Sequence, residues 1–310
     1  MKISIIGLGR VGAAIGFVLT LYEQCEELVI INRTRAKAEA EALDLSHCAA
    51  FGQAKMSIRA GDMADAAGSD LIVLCASCPM PNKNTFDRMH LAQGNWQLYG
   101  ELTPEIVSHA PNAVYLMVAN PIDVLTYRVL KAGGLKPSQV IGAGTIIDTA
   151  RYRGVIAERT GIHPNDIRGY VLGEHGDSQF PTISLAQAGG EHVDDEAEHW
   201  EAFEQAKQSA FEIYKQRGYT NYAIAKAVSL IVHTIRHDAG FTLPVSHLIE
   251  GYLGVKDVCV GLPCIIGSDG IRRAMRPALS EKEAEMFIDS AGQVRAVIDR
   301  CESAVGVESS

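Results

Sequence analysis

The sequence predicts an α/β fold: an N-terminal doubly wound parallel sheet plus a C-terminal α+β substrate domain. Three observations carry this. Short apolar stretches of strand length alternate with helix-length segments through the first half. A glycine-rich turn joins the first strand to the first helix. Beyond Gly161 the alternation gives way to short strands and long amphipathic helices. The change of pattern divides the chain into residues 1–143 and 144–310. At 310 residues, with 47% hydrophobic and 21% charged content, there is ample material for a sizeable core.

The elements follow in order. Lys2–Ile6 is an apolar strand running into Gly7-Leu8-Gly9-Arg10-Val11-Gly12, then a helix over residues 11–22. A G-x-G-x-x-G placed between a strand and a helix is the fingerprint of a Rossmann dinucleotide site. The glycines let backbone approach a pyrophosphate, and the helix start supplies N–H donors and positive potential. The second strand, Glu27–Ile31, ends in Asn32-Arg33-Thr34-Arg35. A site for NAD usually carries a carboxylate here to hold the ribose hydroxyls. Asn32 removes the charge that would repel a 2′-phosphate, and Arg33, with Thr34 and Arg35 beside it, offers that phosphate a partner. NADP(H) is therefore favoured, with NAD(H) possible. A helix over residues 36–49 carries Leu43, Leu45 and Ala49 on one side. Strands follow at 56–59, 70–76, 113–119 and 140–145, with a helix at 122–132. The continuously apolar run at 70–76 suits a parallel strand covered on both faces.

Between residues 78 and 88 a polar loop with two prolines leaves the carboxyl end of a strand, the edge at which such sheets bind ligands. It is a candidate lid with Arg88 as its working residue. Asn120, before Pro121 at another strand end, can contact both nicotinamide and substrate. A long helix carries Ile147-Asp148-Thr149-Ala150-Arg151, and a short apolar run leads to Gly173-Glu174-His175-Gly176-Asp177-Ser178. Aspartate and histidine in these settings suggest a general acid/base pair, the carboxylate fixing the imidazole tautomer. Arg151 offers a fork for a substrate carboxylate. The second half is expected to have strands at 168–172, 182–188, 242–248 and 258–266. Its helices are expected at 194–217, 221–237 and 280–303, before a frayed tail at 306–310.

Composition narrows the function classes. The net charge of −9 argues against a nucleic-acid partner. No run is long and apolar enough to span a bilayer or serve as a signal peptide, so no membrane partner is expected. Seven scattered cysteines, several within apolar runs, point to a reducing, cytoplasmic setting. Cys75-Ala76-Ser77-Cys78 closes a strand and has no second pair or histidine cluster nearby, so no metal is expected.

The four motifs Gly7-Leu8-Gly9-Arg10-Val11-Gly12, Ala119-Asn120-Pro121, Ile147-Asp148-Thr149-Ala150-Arg151 and Gly173-Glu174-His175-Gly176-Asp177-Ser178, in that order, resemble the L-lactate/L-malate dehydrogenase family across essentially the whole chain. The resemblance implies an NAD(P)-dependent oxidoreductase in which NAD(P)H gives hydride to C2 of a small 2-oxo acid while His175 gives a proton to its oxygen. It implies Asp148 as the orienting carboxylate, Arg151 as the carboxylate grip and Arg88 as the lid arginine polarising the carbonyl. Asn120 would bridge cofactor and substrate, and Thr220 would line the pocket. Gly7, Gly9, Arg10, Val11, Gly12, Asn32, Arg33, Thr34, Ala76, Asn95 and Val118 would hold the cofactor, and the protein would be a homodimer or homotetramer, with the helix at 36–49 a contact.

Two departures bear on specificity. Asn32 stands where the family usually has aspartate. Asn82 stands at the lid position where malate-type enzymes place an arginine, which favours a monocarboxylic substrate; Lys83 beside it keeps oxaloacetate open as the alternative. The glycine turn and Gly218-Tyr219-Thr220 are also similar to L-2-hydroxyisocaproate dehydrogenase, which points to a bulkier apolar 2-oxo acid. Two readings of other classes stand beside this one. An NAD-dependent glycosidase would need a metal site of cysteine and histidine, and a non-catalytic dinucleotide sensor would have no use for a proton relay.

Overall fold

The computed structural model describes residues 1–79, 88–192 and 196–308. Its centre is a nine-stranded sheet. Six parallel strands come from the first half: β1 (Lys2–Ile6), β2 (Glu27–Ile31), β3 (Ser57–Gly61), β4 (Leu71–Leu74), β5 (Val114–Met117) and β6 (Val140–Gly142). They lie in the order β3-β2-β1-β4-β5-β6, so the chain reverses direction of travel between β1 and β4. That reversal opens the crevice in which such sheets bind ligands. The helices α1 (Arg10–Leu21), α2 (Arg35–Ala49), α3 (Arg88–His109) and α4 (Ile122–Gly133) cover the two faces.

Alternation along the strands sorts the core. Ile3 and Ile5 of β1 and Leu28 and Ile30 of β2 pack on one face with Ile15 and Leu19 of α1. Ile6, Val29 and Ile31 pack on the other with Tyr99 and Ile106 of α3 and Leu125 and Val129 of α4. Each such aliphatic side chain, removed from water, contributes about 1.5–3 kcal/mol before chain entropy is counted.

The second half contains α5 (Ile146–Thr160), then the two-residue strands β7 (Ile167–Arg168), β8 (Val171–Leu172), β9 (Phe180–Pro181), β10 (Gln187–Ala188) and β11 (Glu191–His192). The helices α6 (Glu196–Arg217) and α7 (Tyr222–Arg236) follow. A meander of β12 (Thr242–Tyr252), β13 (Val255–Gly267) and β14 (Gly270–Ala274) precedes α8 (Glu281–Glu308). The meander extends the parallel sheet: β12 joins β6 antiparallel through Ser246 and Gly142. Gly142 has no room for a side chain there, since a Cβ would lie 2.3 Å from Thr126 Oγ1 and 2.8 Å from the Ser246 Cβ.

Several expectations change. The stretch 182–188 is not one strand. It holds a 3-10 turn, Ile183–Leu185, between β9 and β10, and the Ser184 N–H and hydroxyl bond to the buried Glu283 carboxylate instead of to a sheet partner. On α2 the buried side is Ala38, Ala42 and Leu45, whereas Leu43 is 59% exposed. Small residues meet α1 closely, and Gly16 faces Leu45 across that contact. β14 carries two arginines and is an edge strand, where charge blunts further pairing. α8 runs to Glu308, so residues 306–308 are helical and not a frayed tail. Among the described residues no helix is long and apolar enough to cross a membrane.

Candidate active site

The glycine turn follows β1. Gly7 has φ +99°, and a Cβ there would lie 2.3 Å from the Ala76 nitrogen; a Cβ on Gly12 would lie 2.2 Å from the Gly7 carbonyl. Both glycines are required by the protein's own backbone. Gly9 differs. It is the N-cap of α1, a Cβ on it would meet nothing within 4 Å, and no side chain caps the helix start. The first-turn N–H groups of α1 thus face open space, which is what a phosphate group fits. This turn opens a cavity of 480 Å³ lined by Gly7, Leu8, Gly9, Asn32, Arg33, Cys75, Ala76 and Ser77, with Met63, Leu98 and Leu102 as apolar walls. The site fits a dinucleotide: phosphate donors at one point, apolar walls on the other side. Among the described residues, its lining holds no carboxylate.

Asn32 ties the turn to the end of β2. Its Oδ1 accepts the Leu8 N–H at 3.1 Å and its Nδ2 donates to the Thr34 carbonyl at 3.2 Å. Arg33 is exposed at the cavity rim. Arg35 is committed elsewhere, paired with Glu39 at 3.0 Å and Asp62 at 2.9 Å, so it does not stand beside Arg33 as a second phosphate partner. Thr34 is exposed at the N-cap of α2. The Arg10 guanidinium stacks over the Tyr219 ring at 4.1 Å, and Asn221 Nδ2 reaches the Arg10 carbonyl at 3.5 Å. These contacts bring the α6–α7 connection, with the half-buried Thr220, to the start of α1 beside Val11. The Val118 side chain lies in the core.

Asn95 corrects an expectation. It is fully buried on α3, and its amide is spent inside the protein: Oδ1 accepts the Cys78 N–H at 2.6 Å, and Nδ2 donates to the Asn120 carbonyl at 2.7 Å and to Ser77 Oγ at 3.2 Å. It clamps the ends of β4 and β5 rather than offering a surface to a cofactor.

The candidate catalytic group lies at the carboxyl end of the same sheet. Asp148 and Arg151 sit three residues apart on α5, so they share a helix face. His175 Nδ1 lies 2.5 Å from Asp148 Oδ2, and Arg151 Nη1 lies 3.2 Å from Asp148 Oδ1. One buried carboxylate thus holds both the imidazole and the guanidinium. Burial alone would depress the imidazole pKa, but the charge and hydrogen bond of Asp148 outweigh it and the net shift is upward. For Asp148, burial would raise the carboxyl, and His175 with Arg151 overrides it to hold the group below its usual range. Both shifts favour a charged imidazolium on a carboxylate, the form a proton donor needs.

A second carboxylate escaped the sequence reading. Asp123, in the first turn of α4, is buried and accepts the His175 main-chain N–H on Oδ2 at 2.8 Å. An acidic residue in a helix's first turn is adequately explained by the helix dipole, so nothing local marks it as part of the site. The Asn120–Pro121 peptide is cis, and Asn120 is exposed where α4 begins. A cavity of 340 Å³ is lined by Arg88, Asn120 and His175 together with apolar Met89, Leu91, Val124 and Val297. Arg88 pairs with Asp177 from the histidine loop. Asn82 and Lys83 lie outside the described residues. A larger cavity of 620 Å³, bordered by His247, Glu250, Arg272 and Arg273, gathers none of the predicted site residues. Among the described residues there is no group of three or more His, Cys, Asp or Glu arranged to hold a metal ion.

This geometry agrees with what the chain is similar to. The lactate/malate dehydrogenase NAD binding domain matches residues 1–142, and the alpha/beta C-terminal domain of the same family matches residues 145–305. An L-lactate dehydrogenase of Gloeobacter violaceus is 38% identical over 96% of this chain and 93% of its own length. One from a Synechococcus species is 37% identical over 96% and 99%. Among solved structures, a lactate dehydrogenase from a deep-sea metagenome library superposes with a TM-score of 0.92 at 33% identity, covering 97% of this chain and 98% of that one. A minor L-lactate dehydrogenase from Enterococcus mundtii gives 0.92 at 30%, covering 96% and 98%. With both halves matched and the sheet, glycine turn and His–Asp pair in place, the chain belongs to the lactate/malate dehydrogenase family.

Proposed function

We propose that this protein reduces a small monocarboxylic 2-oxo acid to its L-2-hydroxy acid, and runs the reverse oxidation, with a nicotinamide dinucleotide. The observation that carries the reading is the His175–Asp148 pair held beside Arg151 at the ligand-binding edge of the sheet. When bound, the reduced cofactor supplies a hydride. The glycine turn and the uncapped start of α1 would hold its pyrophosphate, and Met63, Leu98 and Leu102 would flank it. Arg151 grips the substrate carboxylate as a two-pronged donor and fixes the reacting carbonyl toward His175. His175 then donates its proton to the carbonyl oxygen, and Asp148 keeps the imidazole in the tautomer and orientation for that transfer. Arg88 leaves Asp177 to place its charge by the developing oxyanion. We place the division between cofactor-holding and substrate-holding halves at 143/144.

Three finer readings belong to this proposal. The cofactor preference leans to NADP(H), because Asn32 carries no charge and Arg33 stands exposed at the cavity rim. The protein works in the cytoplasm, in keeping with seven free cysteines. It is a homo-oligomer whose contact includes Leu43 on α2 and Phe51 just after it, 59% and 94% exposed in the single chain.

The test is initial-rate oxidation of NADPH and NADH, side by side, with pyruvate, 2-oxoisocaproate, phenylpyruvate and oxaloacetate. Faster NADPH turnover with a monocarboxylic acid is expected. Fast NADH turnover with oxaloacetate would instead make the protein a malate dehydrogenase, and binding of either dinucleotide with no turnover would make it a sensor. Arg33→Ala should raise the KM for NADPH about tenfold or more while leaving NADH nearly unchanged, the scale of one hydrogen-bonded ion pair. Equal effects on both would remove the 2′-phosphate assignment.

A further inference from the structure

The cavity of 620 Å³ lies apart from the candidate active site. It opens between the 3-10 turn Pro137–Gln139, which precedes β6, and the meander β12–β14. That turn sits at the amino end of β6, so the cavity is at the sheet edge opposite the one that carries the glycine turn and His175. Its apolar lining is Leu248 on β12, Leu262 on β13, and Ile271, Ala274 and Met275. His247, 6% exposed, borders it as a neutral imidazole, because burial pulls its pKa down to about 4. Its charged lining is three arginines, Arg272, Arg273 and Arg276, against one carboxylate, Glu250.

In a chain of net charge −9, carboxylates claim many of the guanidiniums: Arg35, Arg59, Arg236 and Arg295 are all paired. Arg272 is too, with Asp238. Arg273 and Arg276 are not. Among the described residues neither meets a carboxylate, and Arg273 Nη2 reaches only Met275 Sδ at 3.5 Å. Protection of an edge strand explains charge on β14, but Arg276 lies beyond the strand's end. The stretch is also built. Ile271 pairs with Ile266 and Arg273 with Ile265, so Arg272 is an extra residue, a bulge. Bulges re-aim side chains, and here the six consecutive residues 271–276 all line the cavity. The backbone that carries the two unpaired arginines is fixed on both sides. The Met275 N–H donates to the Pro263 carbonyl at 2.8 Å, and the Tyr252 hydroxyl to the Pro277 carbonyl at 2.6 Å. A Cβ on Gly270, at φ +97°, would lie 2.1 Å from the Ser138 carbonyl oxygen. A wall held in this way has little backbone freedom left to lose on binding.

We propose that this cavity is a second ligand site, for a small dianion with an apolar body: a phosphate ester or a dicarboxylate. Arg273 and Arg276 take the negative charge as forked donors, the geometry that suits both phosphate and carboxylate. The leucines and Ile271 cover the apolar body. The volume falls in the range of small-molecule sites, about 300–1,000 Å³, and far exceeds what a bare phosphate fills. Glu250 on β12 turns negative charge away from its side. That sets the ligand's direction, with the charged end toward the arginines and the apolar end toward Leu248 and Leu262. None of the lining residues belongs to the dinucleotide cavity or to the candidate catalytic group, so occupancy here can be measured whatever reaction the protein runs.

The experiment is an NMR titration of the full chain, labelled at its methionine and isoleucine methyl groups. The probes are phenyl phosphate, phthalate, inorganic phosphate and benzyl alcohol, at about pH 7.5, where a phosphate ester is mostly dianionic. Met275 and Ile271 report on this cavity, and Met63 reports on the dinucleotide cavity. Phenyl phosphate or phthalate should shift Met275 and Ile271 with a Kd of about 1 mM or below, the scale of a ligand of this size. Inorganic phosphate, without the apolar body, and benzyl alcohol, without the charge, should each bind at least about fivefold more weakly. Tighter binding of phenyl phosphate would assign the site to phosphate esters, and tighter binding of phthalate to dicarboxylates; either supports the proposal. Arg273→Gln combined with Arg276→Gln should raise the Kd about tenfold, with melting temperature and dinucleotide affinity unchanged. No shift at Met275 and Ile271 up to about 10 mM of either dianion would overturn the proposal. So would equal binding of inorganic phosphate or benzyl alcohol, or an unchanged Kd in the folded double variant. If that variant does not fold, the comparison of the four probes on the wild-type protein decides.

Discussion

The proposed dinucleotide cavity and the proposed catalytic group occupy the same edge of one sheet but are built in opposite ways. The cavity is organised on one continuous passage, the end of β1 and the glycine turn, and is closed by the ends of β2 and β4, by Met63 and by two leucines of α3. The catalytic group is gathered from Arg88 at the start of α3, Asp123 on α4, Asp148 and Arg151 on α5, and His175 on a loop after β8. In the first, backbone geometry is the functional feature, so glycine is the residue under constraint. In the second, the functional feature is a set of charges converging in a part-buried site, and no single segment contains it. Damage to the first should therefore alter cofactor binding or folding, and damage to the second should alter chemistry with the cofactor still bound.

The largest effect that sharpens this contrast lies in the catalytic group. His175→Asn should lower kcat about a thousandfold, the scale of a lost general acid. Arg151→Ala should lower kcat/KM about a hundredfold or more, as expected when a hydrogen-bonded charge loses its partner. Dinucleotide affinity, read by fluorescence titration, should be unchanged in both. Weakened cofactor binding on a scale with the rate loss would mean that the two regions are not separable.

A smaller effect divides the cavity itself. Gly7→Ala drives a Cβ into the Ala76 backbone at a positive φ, so it should cost folded protein, seen as a large drop in melting temperature. Gly9→Ala meets no protein atom. It should melt normally and bind dinucleotide about tenfold more weakly, because the added methyl lies against a bound phosphate. Equal melting temperatures for the two variants would show that the packing limits read at Gly7 are relieved by backbone movement.

The same contrast governs what could be read before the structure. β1, β2 and the glycine turn were legible because strand, turn and helix signals are contiguous there. The apolar parallel strands β1, β2, β4, β5 and β6 were legible because both of their faces are buried. His175, Asp148 and Arg151 were legible through the family's motifs, and the fold brings them within hydrogen-bonding distance. Asp123 was not, because its site role depends on a main-chain N–H far along the chain. Asn95 was read as a cofactor contact, but its partners are the backbone at Cys78 and Asn120 and the hydroxyl of Ser77, which no periodicity reveals. Leu98 and Leu102 have the i, i+4 spacing of one helix face, but their place on a wall of the cavity depends on how α3 docks. The 3-10 turn at Ile183–Leu185 was masked by an apolar alternation that reads as a strand.

The most direct test of the account is isotope transfer. NADPH and NADH, each carrying deuterium at the transferable position of the nicotinamide, are supplied in turn with a monocarboxylic 2-oxo acid, and the product is read by mass spectrometry and chiral chromatography. The account predicts an L-2-hydroxy acid with deuterium at C2 from the wild-type protein and almost none from Arg151→Ala. A bound cofactor that keeps its deuterium in the presence of every 2-oxo acid tried, or a product without deuterium at C2, would contradict it.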